Sequence, residues 1–391
     1  MRRDVNVAML LDNEFVLDKR VYREAKALVN ADFNLTLYAV RRRDLQDDEV
    51  KDGIRVKRIF SQALFDVKQP DYRRAMAEKI AATEPDVVHC HDSRMLHVGV
   101  SIKRMRPQTT LIYDSHELFH SWPIHYDSLR PDVVLKTWLV RQLEIRREKS
   151  DSRFIDHLIT VSGSIAEHLK ERFALRNEPV LVRNVAEYEE ITERKDFVRQ
   201  AFNIPSSTRL VVLFAYKIYR KKRNIEAAIS DLANKPDVAL IIFCHDGGHK
   251  RYFEEWLVSH TVHNVFFHPF IGSNQIVNYL ASCDVGLIPT WNKKHLSYWY
   301  GLENKLFHYV MAGLPVLATA QPEHRIIVEG YDIGVCVNGD DAGAYYNGLE
   351  TILGKYNHFC SRVETARQQL RWEKEKEKLL ELYARVCSGR D

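Results

Sequence analysis

The chain has 391 residues, of which 45% are hydrophobic and 28% charged, enough for two soluble α/β domains that each bury a core. Its 57 Lys+Arg against 53 Asp+Glu leave a formal net charge of only +4, which argues against a dedicated nucleic-acid binder. No apolar run approaches the roughly 20 residues that span a bilayer.

The start, MRRDVNVAMLLDNEF, is too short in its apolar run for a signal peptide and reads as a first buried strand. Six cysteines (Cys90, Cys244, Cys283, Cys336, Cys360 and Cys387) are scattered without a CxxC pair. They point to reduced, mostly buried thiols of a cytosolic protein.

Short apolar runs then alternate with amphipathic segments, the pattern of βαβ units and parallel sheets. In the first half the strands are expected at Val5–Leu11, Asn34–Val40, Ile54–Ile59, Asp86–His89, Thr110–Tyr113, His157–Val161 and Val180–Val182. Helices are expected at Arg20–Val29, Tyr72–Ala82, Val98–Met105, Val133–Lys149 and Ser164–Phe173, with Ser162 or Ser164 capping the last. The helix Val133–Lys149 mixes Trp138, Leu139, Leu143 and Ile145 with Arg141, Arg146 and Arg147. It reads as a cover of the first domain with a wet basic face. The other reading is peripheral contact with an acidic membrane surface.

Residues 188–207 are polar and read as a linker. A second series of strands follows at Leu210–Phe214, Val238–Cys244, Val265–His268, Val285–Ile288, Val316–Ala318 and Gly334–Val337. Its helices are expected at Asn224–Leu232, Tyr252–Ser259, Asn274–Ala281, Asn304–Met311 and Glu323–Val328, and a charged amphipathic helix ends the chain from Gln368 to Val386. The expected organisation is therefore an α/β domain over 1–187, the linker, a second α/β domain over 208–367, and a tail over 368–391.

In open parallel sheets, ligands bind beyond the carboxyl ends of the strands, where helix N-termini offer N–H groups to phosphate. No GxGxxG follows the first strand, and neither GxxxxGK[ST] nor GxSxG occurs. Dehydrogenase, P-loop and common hydrolase readings lose their support. His89 and His91 share a strand face, but no third ligand has suitable spacing, so no metal site and no cofactor are expected.

The most informative stretch is Tyr300-Gly301-Leu302-Glu303-Asn304-Lys305-Leu306-Phe307-His308, continued by Ala312-Gly313-Leu314-Pro315-Val316. The backbone of Glu303, Asn304 and Lys305 would open a helix and Lys305 would add a cation, a geometry suited to phosphate. Together with Pro85-Asp86-Val87-Val88-His89-Cys90-His91-Asp92, Tyr113-Asp114-Ser115-His116-Glu117, Thr160-Val161-Ser162 and Arg183-Asn184, this ordered set resembles the retaining glycosyltransferases of family four. The resemblance is to the subgroup with an Asn-Lys-Leu-Phe-Glu-Tyr motif.

That resemblance implies a GT-B fold, two facing Rossmann-like domains with a terminal helix returning to the first. It implies transfer of a sugar, with retention, from a nucleotide-sugar donor to a glycan or lipid-linked acceptor, in the cytoplasm or at the inner face of the membrane. His116 matches the histidine that touches the donor sugar. Lys217 and Lys222 (or Arg223) match the basic pair on the donor phosphates, where fixed cations stabilise the leaving group. Asn13, Glu14 and Asp18 fall on the acceptor side. The family's paired glutamates are replaced by Tyr300 and His308, which points to an unusual donor or to a weakened enzyme serving as a scaffold. An epimerase or hydrolase on the same fold is the remaining alternative.

Overall fold

The computed structural model describes residues 5–16, 18–41, 45–60, 70–122, 131–188, 191, 196–219, 224–272 and 275–388. The chain forms two compact units, Met1–Arg183 with Glu375–Asp391, and Asn184–Lys374.

The first unit holds strands β1 (Asn6–Leu10), β2 (Asn34–Val40), β3 (Asp48–Lys51), β4 (Ile54–Phe60), β5 (Val87–His91), β6 (Thr110–Ser115), β7 (His157–Thr160) and β8 (Val180–Leu181). They form one sheet in the order β3-β4-β2-β1-β5-β6-β7-β8. All pairings are parallel except β3 with β4. Strand β3 was not expected: its sequence, Asp48-Glu49-Val50-Lys51, is polar because it is an edge with three of its four residues exposed. It turns into β4 through Asp52 (φ 52°) and Gly53 (φ 85°), the left-handed pair that suits a two-residue hairpin.

Helices α1 (Lys19–Asn30), α2 (Pro70–Ala81), α3 (Asp92–Met105), α4 (Pro131–Asp151) and α5 (Gly163–Phe173) belong to this unit. Asp18 caps α1 by accepting from the Val21 amide at 3.1 Å, and the buried face runs Val21, Ala25, Leu28, at helical spacing. Ser162 caps α5 through the Ile165 amide at 3.3 Å, so the cap falls on Ser162 and not Ser164. Helix α4 departs from the expected cover: the buried residues along it are Glu148 and Asp151, while Leu135, Trp138, Leu139 and Leu143 are exposed.

The second unit begins with α6 (Phe197–Phe202), inside the stretch expected to be linker, and contains β9 (Arg209–Phe214), α7 (Ile225–Leu232), β10 (Val238–Cys244), α8 (Gly248–Ser259), β11 (Val265–Pro269), α9 (Ile276–Leu280) and β12 (Val285–Ile288). There follow α10 (Leu296–Trp299), α11 (Asn304–Met311), β13 (Val316–Thr319), α12 (Pro322–His324), β14 (Gly334–Val337), α13 (Ala344–Gly354) and α14 (Tyr356–Gln369). The sheet order is β11-β10-β9-β12-β13-β14, parallel throughout. Every residue of β10, Val-Ala-Leu-Ile-Ile-Phe-Cys, is buried, as a central strand covered on both faces requires. Its core includes Leu240 and Ile242, Ile229 and Leu232 of α7, and Leu349 and Ile352 of α13.

The last helix, α15 (Trp372–Ser388), starts later than expected. The chain breaks at Leu370 and Arg371, and the Trp372 amide donates to the Ala186 carbonyl at 3.0 Å. From Glu375 onward the segment belongs to the first unit. There Glu375 accepts from the Arg183 amide at 2.9 Å, and Leu379, Leu382 and Tyr383 are buried. Among the described residues no helix is long and apolar enough to cross a membrane. None of the six cysteines forms a disulfide.

Candidate active site

In the first sheet the chain reverses its direction of growth between β1 and β5, and open α/β sheets take ligands beyond the carboxyl ends of the strands at such a point. Asp12 to Glu14 follow β1, Asp92 follows β5, and His116 follows β6.

The His116 imidazole is one-fifth exposed and sits 3.5 Å from Asp114 and 3.6 Å from Asp92. Asp92 also accepts from the His116 amide at 3.3 Å. Its own backbone is left-handed, with φ 62°, a cost of the kind that clusters at functional sites. Burial opposes charge on His116, but Asp92 and Asp114 outweigh it and push the imidazole up to about 10. The ring is therefore a cation at neutral pH, a donor from both nitrogens.

Asp114 is itself fully buried. The Arg20 guanidinium reaches both its oxygens at 3.0 Å and donates to the Val182 carbonyl at 2.6 Å. Against the cost of burial, Arg20 and then His116 hold Asp114 well below the usual carboxylate range. His91 shares a 3.2 Å contact from Nδ1 to His116 Nε2. Burial drives His91 down to about 3, so His91 accepts the His116 proton donation at Nδ1. His89 stacks on His91 at 4.5 Å and bonds the Tyr383 hydroxyl at 2.9 Å through Nδ1.

The fold supplies what the spacing of His89 and His91 did not show. Glu24 from α1 and Asp114 from β6 bring their ligand atoms, with those of both histidines, within 4.8 Å of one another. No third ligand has suitable spacing in the sequence; in the fold these neighbours come from elements distant in sequence. Arg20 already lies 3.1 Å from Glu24 and 3.0 Å from Asp114. It supplies the positive charge between the two carboxylates, and burial pushes Glu24 up to about 8.

The acceptor-side candidates are tied into the loop after β1. Asn13 donates to Asp18 at 3.0 Å and accepts from the Phe15 amide at 2.8 Å. Asp18 caps α1, and the Glu14 carbonyl accepts from Arg58 at 3.0 Å.

In the second sheet the reversal lies between β9 and β12, and α11 follows β12. The Phe214 amide donates to the Tyr309 hydroxyl at 2.9 Å, and that hydroxyl donates to the Leu287 carbonyl at 3.1 Å, pinning α11 to both strands. Gly286 makes room: a Cβ there would lie 2.3 Å from the Tyr309 ring. Glu303 occupies the N-cap of α11 without capping it. Its carboxylate instead meets His324 at 2.6 Å.

His308 Nδ1 lies 2.9 Å from the Asn304 carbonyl. A carbonyl only accepts, so Nδ1 carries the proton and Nε2 is the acceptor of the ring. His308 also packs 5.9 Å from Phe214. Lys305, in the first turn of α11, is buried. Tyr300 is half-buried at the end of α10. Lys217 follows β9 with Nζ 6.0 Å from the Tyr216 ring. Lys222 and Arg223 lie outside the described residues.

Sequence reasoning missed an aromatic group on this edge. His245 stacks on Phe270 at 4.5 Å, Tyr216 meets His245 edge-on at 4.5 Å, and Phe214 stacks on Phe270 at 5.1 Å. Tyr216 is 64% exposed. The only available signal was a tyrosine and a histidine each placed just beyond an apolar strand.

Residues 18–184 match the family model described as Glycosyltransferase Family 4, and residues 210–355 match that of Glycosyl transferases group 1. The chain is a GT-B glycosyltransferase. Sucrose-phosphate synthase from Thermosynechococcus elongatus is similar to this glycosyltransferase in fold, with TM-score 0.76 and 16% identity, over 98% of this chain and 100% of that one. A glycosyltransferase from Rickettsia africae gives TM-score 0.72 and 12% identity, over 98% of each chain. Anabaena HepE in complex with UDP-glucose gives TM-score 0.72 and 14% identity, over 97% and 99%. No curated protein sequence matches significantly.

Proposed function

We propose that this glycosyltransferase takes its sugar from a nucleotide-sugar donor and passes it, with retention, to a hydroxyl of a glycan or lipid-linked acceptor. The work is cytoplasmic or at the inner face of a membrane, in the assembly of a surface polysaccharide or glycoconjugate. The observation that carries the reading is the β9–α11 edge of the second unit. It combines an uncapped helix N-terminus, an acceptor nitrogen on His308, Lys217, and exposed aromatic surface.

Each part has a chemical use. The α11 amides and Lys217, with Lys222 and Arg223, meet the charge that grows on the departing diphosphate. The Nε2 lone pair of His308 accepts one hydrogen bond from a ribose hydroxyl in place of the family's glutamate. The aromatic group offers a face to the base. His116, as a fixed cation, donates to the sugar near its reacting carbon, and the leaving phosphate accepts the acceptor's proton. No nucleophile of the protein is required.

Calorimetric titration with UDP-, GDP- and CMP-sugars tests the proposal. Saturable binding of one donor class is expected; absence of binding to all three would sink it.

A further inference from the structure

The first unit contains an open hollow beside the His116 site, walled by α2, α3 and α4. Three guanidiniums line it, one from each helix: Arg73, Arg94 and Arg147. Two carboxylates, Glu144 and Glu148, face the same space. Glu148 is buried and accepts from the Tyr113 hydroxyl at 2.9 Å, and burial pushes it up to about 7. The lining is therefore net positive. Arg94 also stands in the first turn of α3, a 14-residue helix, whose amide end favours anions. The residue before that turn's Ser93 is Asp92, which holds His116.

Helix α4 gives this cavity an apolar approach. Leu139, Leu143 and Arg147 follow one another at intervals of four and so lie along one line of the helix. Leu139 and Leu143 are 47% and 53% exposed, with Leu135 and Trp138 exposed beside them. An exposed leucine and tryptophan stripe that ends at a guanidinium in a basic cavity fits an amphiphile whose head is a phosphate.

We propose that this cavity and the α4 stripe bind a lipid phosphate, the phosphate between the guanidiniums and the aliphatic chain along Leu135, Trp138, Leu139 and Leu143. This rests on the glycosyltransferase reading and narrows its acceptor to a lipid-linked one carrying phosphate.

The test uses the full chain and co-sedimentation with phosphatidylcholine vesicles, with or without phosphatidic acid. Binding is expected only when phosphatidic acid is present. Arg94→Ala with Arg147→Ala, and separately Leu139→Ser with Leu143→Ser, are each expected to weaken it by roughly tenfold or more. All four side chains are at least partly exposed, and circular dichroism confirms that each variant is folded. Vesicle binding unchanged by either pair, or equal with and without phosphatidic acid, would overturn the proposal. So would arginine-dependent binding of glucose 6-phosphate in solution with none to vesicles, which would assign the cavity to a soluble phosphate. UDP affinity measured on the same preparations separates the two readings. Its loss with vesicle binding intact strikes the donor assignment alone, and the reverse strikes this one alone.

Discussion

His116 shows how burial and charge compete at a single residue. Water loss alone would leave its imidazole neutral, as it does for His89 and His91. Two carboxylates within 3.6 Å reverse the sign. A proton held more tightly in the native state than at the ordinary 6.5 stabilises the fold fully below that pH. The contribution is lost as pH rises towards about 10. His116→Ala should therefore narrow its stability deficit against the parent between these limits, followed by urea melts at a series of pH values. The same variant should lower turnover far more than donor affinity if the imidazolium acts on the sugar. Equal loss of both would make the histidine structural.

At the scale of elements, most strands were legible because parallel sheets write them as continuous apolar runs. Val238–Cys244 and Gly334–Val337 are found with the expected bounds. Strand β3 was not legible, since an exposed edge carries no apolar signal, and neither were α13, whose apolar face is interrupted by Gly348, and α14, whose sequence is largely polar. The His116 motif was visible in sequence, whereas Glu24 and Arg20 reach it only through the packing of α1 against the sheet. The aromatic group beyond β9 and β10 is likewise a product of strand order. The seating of α11 depends on one absent side chain. Gly286→Ala should clash with Tyr309 and cost about 1–3 kcal/mol, read from denaturant midpoints. It should also weaken donor binding, because Tyr309 fixes the α11 end. A neutral effect on both would detach helix placement from the donor edge.

For the whole molecule, the chain's last segment is structurally part of its beginning. Deleting residues after Lys374 removes Glu375 from Arg183, the Tyr383 hydroxyl from His89, and the buried Leu379 and Leu382. Burial of each such side chain contributes about 1.5–3 kcal/mol, a large share of any domain's stability. Scanning calorimetry of the truncated chain should lose or sharply lower the transition of the first unit and keep that of the second. Loss of both together would mean that the second unit also depends on α15.

The donor nucleotide is proposed to lie on the β9–α11 edge. Photolabelling with 5-azido-UDP-glucose, followed by peptide mapping, tests it most directly for a uridine donor, with the corresponding azido-GDP or azido-CMP sugar used if calorimetry selects another base. The label is expected in the peptides carrying Tyr216, Phe270 or His308, and excess unlabelled donor should suppress it. Suppressible labelling confined to other peptides would contradict the account.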